Sequence, residues 1–147
     1  MNKTFIMLKP DAMKRGLEQE IIKHFTDDGM TIEKSNHVLV NEELILNHYK
    51  EVIEKVTIVG FKERLLREFV GETVAIYVLS GTEGIIERVR ELVGPTEPVK
   101  ADKHTIRGKY SQDSYALAAD EDRPVRNLIH ASDSPESVIK ETSLWFD

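Results

Sequence analysis

The sequence contains no cysteine, and this absence excludes three kinds of chemistry. There can be no disulfide bond, no metal site built from thiolates and no cysteine nucleophile. No apolar run approaches the roughly 20 residues that cross a bilayer, and the first residues lack the apolar segment of a secretory signal peptide. We therefore expect a cytoplasmic protein without a membrane anchor.

An excess of positive charge is also missing. The chain has 20 lysines and arginines against 26 aspartates and glutamates, and its formal net charge is −6. A general nucleic-acid coat draws its affinity from a basic face, so we predict no specific nucleic-acid partner. A phosphate-bearing small molecule remains possible, because a few cations in a cleft can outweigh a distant negative surface.

Two common site motifs are absent. The pattern Gly-x-x-x-x-Gly-Lys-[Ser/Thr] does not occur, which excludes a P-loop phosphate cradle. No two histidines have the spacing of a zinc site, so we expect no metal held directly by the protein.

The length and composition indicate one globular domain over residues 1–147, with 40% hydrophobic and 31% charged residues. Apolar runs and alternation predict strands at Asn2–Leu8, 30–40, Thr73–Leu79 and Val125–Ile129. Helical spacing and capping residues predict helices from Asp11 to Gly29, from Asn41 to Ile53, at Phe61–Phe69, at Gly84–Val93 and after Ser134. The order is β-α-β-α-α-β-α-β-α, and setting aside the extra helices leaves βαββαβ. We predict an α+β, ferredoxin-like fold, a four-stranded antiparallel sheet with helices packed on a face.

Residues 94–126 show little periodicity apart from a possible helical turn at Tyr115–Asp120. A stretch this long without regular structure usually has a function, although a solvated surface loop is the simpler alternative. Arg107 supplies a planar fork suited to phosphate oxygens, and Thr96 and Thr105 supply hydroxyl donors. Gly94-Pro95 and Gly108 are turn residues that let the backbone approach a ligand closely.

Two further cations adjoin predicted elements. Lys9 follows the first strand, which Pro10 ends abruptly, so Lys9 lies at a sheet end where ligands often bind. Its alternative role is that of a lysine reaching from the strand to water. Arg90 lies in the last turn of a predicted helix, and satisfying the helix carbonyls is an equally good interpretation of that residue alone.

The segment Asn127-Leu-Ile-His130-Ala-Ser-Asp-Ser134 is the most informative in the chain. His130 ends an apolar run and faces a polar turn, and an imidazole is mostly neutral and nucleophilic near pH 7. A lone histidine in such a place is more often structural. Glu141 in the closing helix can orient the ring through one nitrogen, which leaves the other free to attack. The remaining histidines are interpreted as structural surface residues.

Together these segments resemble the nucleoside diphosphate kinase family along essentially the whole chain. The main match is Asn127-x-x-His130-x-Ser132-Asp-Ser134. Supporting matches are Phe5-Ile-Met-Leu-Lys9-Pro-Asp11, Arg15-Gly16, Arg90-x-x-x-Gly94-x-Thr96, Thr105-Ile-Arg107-Gly108 and Leu144-Trp-Phe.

The resemblance implies a ping-pong transfer of the γ-phosphate from a nucleoside triphosphate to a nucleoside diphosphate. His130 would accept the phosphate, supported by Lys9, Glu141 and Ser132. The nucleotide would be held by Lys9, Tyr49, Thr57, Arg90, Thr96, Arg107 and Asn127. Mg²⁺ would be carried on the nucleotide phosphates. Because family members are usually hexamers and sometimes tetramers, the resemblance also implies a homo-oligomer, a hexamer before a tetramer.

The chain departs from the family pattern at three places. Ala131 follows the histidine where many members have glycine, and about ten residues are inserted near 111–122. Thr57 aligns with the aromatic residue on which the nucleotide base usually stacks, with Phe61 as a substitute if the alignment slips.

The alternative function is a regulator that binds nucleotides or nucleic acid without turnover, because one fold can host many functions. Such a binding protein would not need His130, Lys9 and Glu141 together. Their joint presence favours the enzyme.

Overall fold

The computed structural model describes residues 2–147 and contains a four-stranded antiparallel sheet in the order β2-β3-β1-β4. Its strands are β1 (Asn2–Leu8), β2 (Thr31–Leu39), β3 (Thr73–Gly81) and β4 (Ile129–Ala131). The apolar strand β1 pairs with both β3 and β4, and β2 forms an edge. This arrangement confirms the predicted ferredoxin-like fold.

Helices connect and flank the strands. They are α1 (Pro10–Lys14), α2 (Glu18–Asp27), α3 (Glu42–His48), α4 (Lys50–Lys55), α5 (Phe61–Phe69), α6 (Ile85–Val93), α7 (Ile106–Tyr110), α8 (Tyr115–Asp120) and α9 (Pro135–Phe146), with a 3₁₀ turn at Pro98–Lys100. Asn41 caps α3 and Ser134 caps α9 through their side chains, as the sequence predicts. In residues 2–147 no helix has the length and apolar character needed to cross a membrane.

Both faces of the sheet are covered, whereas the sequence analysis predicted helices on a face. Along β1, Ile6 and Leu8 pack into one core cluster with residues of α2 and α6, and Phe5 and Met7 pack into a second with residues of α3, α5 and α9. Burial on both sides explains why β1 is continuously apolar rather than alternating.

Two predicted helices are each divided. The first is interrupted at Gly16, whose φ of 67° ends α1 before α2 begins. Such a left-handed conformation suits glycine and cannot continue a helix. The second is interrupted at Tyr49, between α3 and α4.

The chain between α6 and β4 is more regular than predicted. The possible turn at Tyr115–Asp120 is α8, but α7 was not predicted, because five residues with only Ile106 buried carry no visible periodicity. The last strand begins later than predicted, at Ile129. Leu128 has a φ of 75°, so the chain turns there and cannot extend β4 toward Val125.

Candidate active site

The turn before β4 brings Lys9 against Asn127. The Lys9 amide donates to the Leu128 carbonyl at 2.8 Å, and the Leu128 amide donates to Oδ2 of Asp11 at 3.0 Å. These bonds attach the end of β1 to the start of β4. As a result, the Lys9 ammonium donates to Oδ1 of the buried Asn127 at 2.7 Å.

His130 lies in the middle of β4, opposite Met7 of β1. Its Nε2 is 2.9 Å from Oε1 of Glu141, and the Ser132 hydroxyl donates to the same oxygen at 2.5 Å. Glu141 is buried in α9. The carboxylate therefore lies where the sequence analysis placed it, and Nδ1 of His130 is left without a hydrogen bond from the described residues.

The Arg107 guanidinium is held by three backbone carbonyls. It donates to Gly94 O at 3.0 Å, to Ile129 O at 2.6 Å and to Asn127 O at 3.2 Å. Burial, followed by the nearby positive charge of Arg90, lowers the pKa of Arg107 to about 10, and the group remains charged at neutral pH. Arg107 thus ties the end of α6 to the start of β4.

Two neighbours of Arg107 have roles other than those predicted. The Thr105 hydroxyl is buried, caps α7 by accepting from the Gly108 amide, and donates to Asp102 O; it is not free to contact a ligand. Gly108 lies inside α7, and a Cβ there would overlap the Asp102 carbonyl. The close approach made possible by Gly108 is therefore to backbone and not to a ligand.

Seven of the predicted site residues line one cleft of about 270 Å³. They come from the end of β1, the break between α3 and α4, helices α6 and α7, and β4. The lining consists of Lys9, Tyr49, Arg90, Val93, Gly94, Thr96, Arg107, Asn127, His130, Ala131 and Asp133. Glu141 and Ser132 lie behind His130, outside the lining.

Thr57 is not among the residues that line this cleft. It is exposed in the segment between α4 and α5, because the chain there runs over the surface. Phe61, the suggested substitute, packs against the second core cluster. Neither residue offers an aromatic face at the cleft.

The pKa values of Lys9 and Tyr49, which also line the cleft, are shifted as well. Burial, with the charge of Arg107, lowers the pKa of Lys9 to about 8. Burial raises the pKa of the Tyr49 hydroxyl above its usual value, so the phenol stays protonated as a hydrogen-bond donor. A cluster of cations beside a neutral donor suits an anionic ligand.

His48 was predicted to be a structural surface residue, and this prediction is wrong. His48 is buried, its ring lies beside that of His130, and its Nδ1 accepts a hydrogen bond from Trp145. In the sequence, His48 follows Ile45 by three residues, so the two share a helix face, and this spacing could have indicated that His48 is buried.

The family model described as nucleoside diphosphate kinase matches residues 2–147. The chain belongs to the nucleoside diphosphate kinase family. It is 39% identical over 147 residues to the nucleoside diphosphate kinase of Methanothermobacter thermautotrophicus, covering 100% of this chain and 88% of the relative. The chain is accordingly an enzyme that transfers phosphate between nucleotides.

Solved structures of nucleoside diphosphate kinases share the fold. One from Borrelia burgdorferi, a transition-state mimic with bound vanadate and ADP, is 30% identical with a TM-score of 0.92 over 99% of this chain and 87% of that chain. One from Pyrobaculum aerophilum is 36% identical with a TM-score of 0.88 over 99% of this chain and 96% of that chain.

Proposed function

We propose that this nucleoside diphosphate kinase works through a phosphohistidine at His130. The observation that carries the proposal is the bond from Nε2 of His130 to Glu141 at 2.9 Å, which leaves Nδ1 as the nucleophile. The Nδ1 lone pair attacks the γ-phosphorus of a nucleoside triphosphate, the bond from that phosphorus to the bridging oxygen breaks, and the diphosphate leaves. A second diphosphate then attacks the same phosphorus and breaks the N–P bond.

Glu141 supports both half-reactions. When Nδ1 carries the phosphoryl group and Nε2 keeps its proton, the imidazole becomes cationic. The buried carboxylate stabilises that charge, and the Ser132 hydroxyl holds the carboxylate in place. Ser132 and Glu141 act through His130 and not on the substrate.

The cations of the cleft would position the transferred phosphate. Lys9 and Arg107 reach the cleft with Arg90 at its rim, and Tyr49, Thr96 and Asn127 add uncharged donors. Phosphoryl transfer requires mainly in-line positioning and neutralisation of charge. Because Arg107 already satisfies three carbonyls, it is fixed in place before a nucleotide arrives.

Mg²⁺ fits this site when it is bound on the nucleotide. The cleft is rich in cations and offers one carboxylate among its lining residues, that of Asp133. The Ser137 hydroxyl holds the pKa of Asp133 below its usual value, so Asp133 is ionised. The donor set does not form a carboxylate cage, but it can contact the water shell of a metal carried by phosphates. The metal supplies further neutralisation of phosphate charge.

We also propose that the nucleotide base contributes little to binding. With Thr57 exposed and Phe61 packed against the second core cluster, the nucleotide would be held through its phosphates and ribose more than by stacking. Aromatic stacking contributes roughly 1–3 kcal/mol per base. We expect similar kcat/KM for purines and pyrimidines, and for ribose and deoxyribose, and Thr57→Phe should tighten purine binding most. If the nucleotide affinity of Thr57→Phe is unchanged, Thr57 does not correspond to the family's base-stacking residue.

We further propose that residues 1–147 form a single domain and that the enzyme is a cytoplasmic homo-oligomer, a hexamer before a tetramer. The exposed edge strand β2 is consistent with pairing between copies. Light scattering would distinguish the two states by mass.

The decisive experiment is incubation with γ-labelled ATP. We expect label on the protein that is labile in acid and stable in base, and that is released by any added nucleoside diphosphate. Label that is absent, or that resists acid, would contradict the phosphohistidine.

A further inference from the structure

His48 is a buried histidine beside the proposed nucleophile, and no step above uses it. It ends α3 and is only 7% exposed. The centroids of the His48 and His130 rings are 4.5 Å apart, and their planes meet edge to face at 81°. His48 is not among the residues that line the cleft. It can therefore influence the reaction only through its neighbours, of which His130 and Tyr49 line the cleft, and an effect through Tyr49 would alter ADP affinity.

Helix α9 fixes both rings. Glu141 and Trp145 are four residues apart and project from the same face of the helix. Glu141 holds Nε2 of His130 at 2.9 Å, and Nε1 of Trp145 donates to Nδ1 of His48 at 3.0 Å. One helix thus sets the position of each histidine relative to the other.

The bond from Trp145 determines the protonation of His48. An indole N–H is a donor only, so Nδ1 of His48 offers its lone pair and the proton lies on Nε2. Burial, followed by the neighbouring His130, holds the pKa of His48 well below its usual value. The ring is therefore neutral. Its Nε2 is buried without a hydrogen-bond partner in the described residues, which costs free energy and points to a role beyond filling the core.

We propose that His48 is a positioning residue that fixes the plane of the His130 ring. The single bond to Glu141 anchors one ring atom but still permits the ring to tilt about it. Packing against His48 removes that freedom and aims Nδ1 at the γ-phosphorus. Neutrality is required, because a second positive charge at this distance would oppose the charge that His130 gains on phosphorylation. This inference rests on the proposed role of His130.

Two substitutions separate the functions of the His48 ring. His48→Asn retains an acceptor for Trp145 but loses the ring, and His48→Phe retains a ring of similar shape but loses the acceptor. We would measure formation of phosphohistidine in a single turnover with γ-labelled ATP, recording its rate and the fraction of chains labelled. ADP affinity would be measured by calorimetry.

We expect His48→Asn to label the same fraction of chains as the unmodified enzyme, about 10- to 100-fold more slowly, as small misplacements of a reacting group do. His48→Phe should recover part of that rate, and ADP affinity should change by less than about twofold. His24→Asn is the control, because the His24 ring contacts Tyr110 and not His130.

A purely structural role would give a different result, with fewer chains labelled and a normal rate in those that are. That result, or a normal rate and fraction in His48→Asn, would overturn the inference. If neither His48 variant folds, Trp145→Phe tests how His48 is held, because it removes the indole N–H donor to His48 and keeps an aromatic ring in the core; a normal rate there would also overturn the inference. An unlabelled parent enzyme would instead contradict the proposed function.

Discussion

His130 and Glu141 show how one pair of side chains can define a nucleophile. An imidazole has two nitrogens of similar basicity, and nothing in the residue itself selects between them. The selection comes from α9, which places a buried carboxylate 2.9 Å from Nε2. Ser132 contributes by donating a hydrogen bond to the same carboxylate oxygen.

Replacing the nucleophile tests this selection. His130→Ala should lower the rate of phosphate exchange by several orders of magnitude. Nucleotide affinity should be nearly unchanged, because Lys9 and Arg107 remain. Exchange between ATP and another nucleoside diphosphate measures the first quantity, and calorimetry with ADP measures the second. Exchange at about a tenth of the normal rate would mean that the phosphate does not pass through His130.

The lowered pKa of Lys9 predicts how kcat/KM changes at alkaline pH. Its pKa is lowered to about 8, so the ammonium is charged at pH 7 and loses its charge as the pH rises through 8. The phosphate contact weakens in the same range, and kcat/KM should fall with an apparent pKa near 8. Lys9→Gln should lower kcat/KM at neutral pH and remove this limb. A limb that persists in Lys9→Gln would assign it to another group.

The same shift affects stability in the opposite direction. The folded chain gives up the Lys9 proton near pH 8, whereas the unfolded chain retains it until about 10.4. Between those values the unfolded state binds more protons, so this group makes the protein more stable as the pH rises. Activity and stability should therefore diverge above pH 8.

The sequence predicted most residues of the cleft, because Lys9, Arg107, Asn127 and His130 lie in short segments whose residue types and spacing are recognisable without the fold. It could not predict that Thr105 is used as a helix cap, or that His48 is buried, because both depend on partners far away in sequence. Trp145 is 97 residues from His48. No local pattern carries such a contact.

At the scale of elements, ion pairs join the inserted segment around α8, and the residues that follow it, to α5. Asp122 accepts from Arg64 and Arg67 of α5, and Arg126 donates to Glu68 of the same helix. Within the segment, Asp113 accepts two hydrogen bonds from the Arg123 guanidinium, at 2.7 and 3.0 Å. A segment with little apolar burial is thus attached to the domain mainly by charge.

Asp113 is the residue whose loss should release this segment. Asp113→Asn removes one of the two carboxylates that pair with the Arg123 guanidinium, whose side chain is only 10% exposed, and leaves the pair with Glu121. Loss of a charge-assisted hydrogen bond costs about 1.5–3 kcal/mol, and hydrogen-exchange protection across residues 113–126 should fall about 10- to 100-fold. Asp120→Asn, at the exposed end of α8, is the control and should have no effect. Equal protection in both variants would show that the segment is held by other contacts.

The effect of pH on this pair follows from the sign of the shift. Burial alone would raise the pKa of Asp113, but the bonds from Arg123 and the Arg126 amide outweigh it and hold the pKa below its usual value. The stabilisation is therefore complete above the usual carboxyl pKa and is lost as the pH falls through the lowered one. The inserted segment should loosen in acid before the sheet does.

Strands β1 and β3 and helices α5 and α6 were predictable because their apolar spacing agrees with their burial. The breaks at Gly16 and Tyr49 were not, because the apolar stripes continue across them. Tertiary packing, not local propensity, turns the chain at Tyr49 so that it lines the cleft. The short α7 has too few residues for any periodicity to be visible.

At the scale of the whole molecule, the net charge is negative, whereas the charged side chains that line the cleft are mainly positive. The chain carries a formal charge of −6, yet the cleft gathers Lys9, Arg90 and Arg107. Because the Debye length is about 10 Å at 0.1 M salt, an approaching nucleotide feels the cleft more than the distant carboxylates. Focused local charge should therefore dominate association.

Salt dependence measures which charge dominates. If the cleft controls encounter, kcat/KM should fall as ionic strength rises from about 0.01 M to 0.3 M, because added ions screen the attraction. Arg90→Gln, which removes an exposed cation at the cleft, should flatten that slope. Glu20→Gln changes the net charge by the same magnitude on the exposed side of α2 and should leave the slope unchanged. A kcat/KM that rises with salt would mean that the overall negative charge repels the nucleotide and that the cleft acts only after contact.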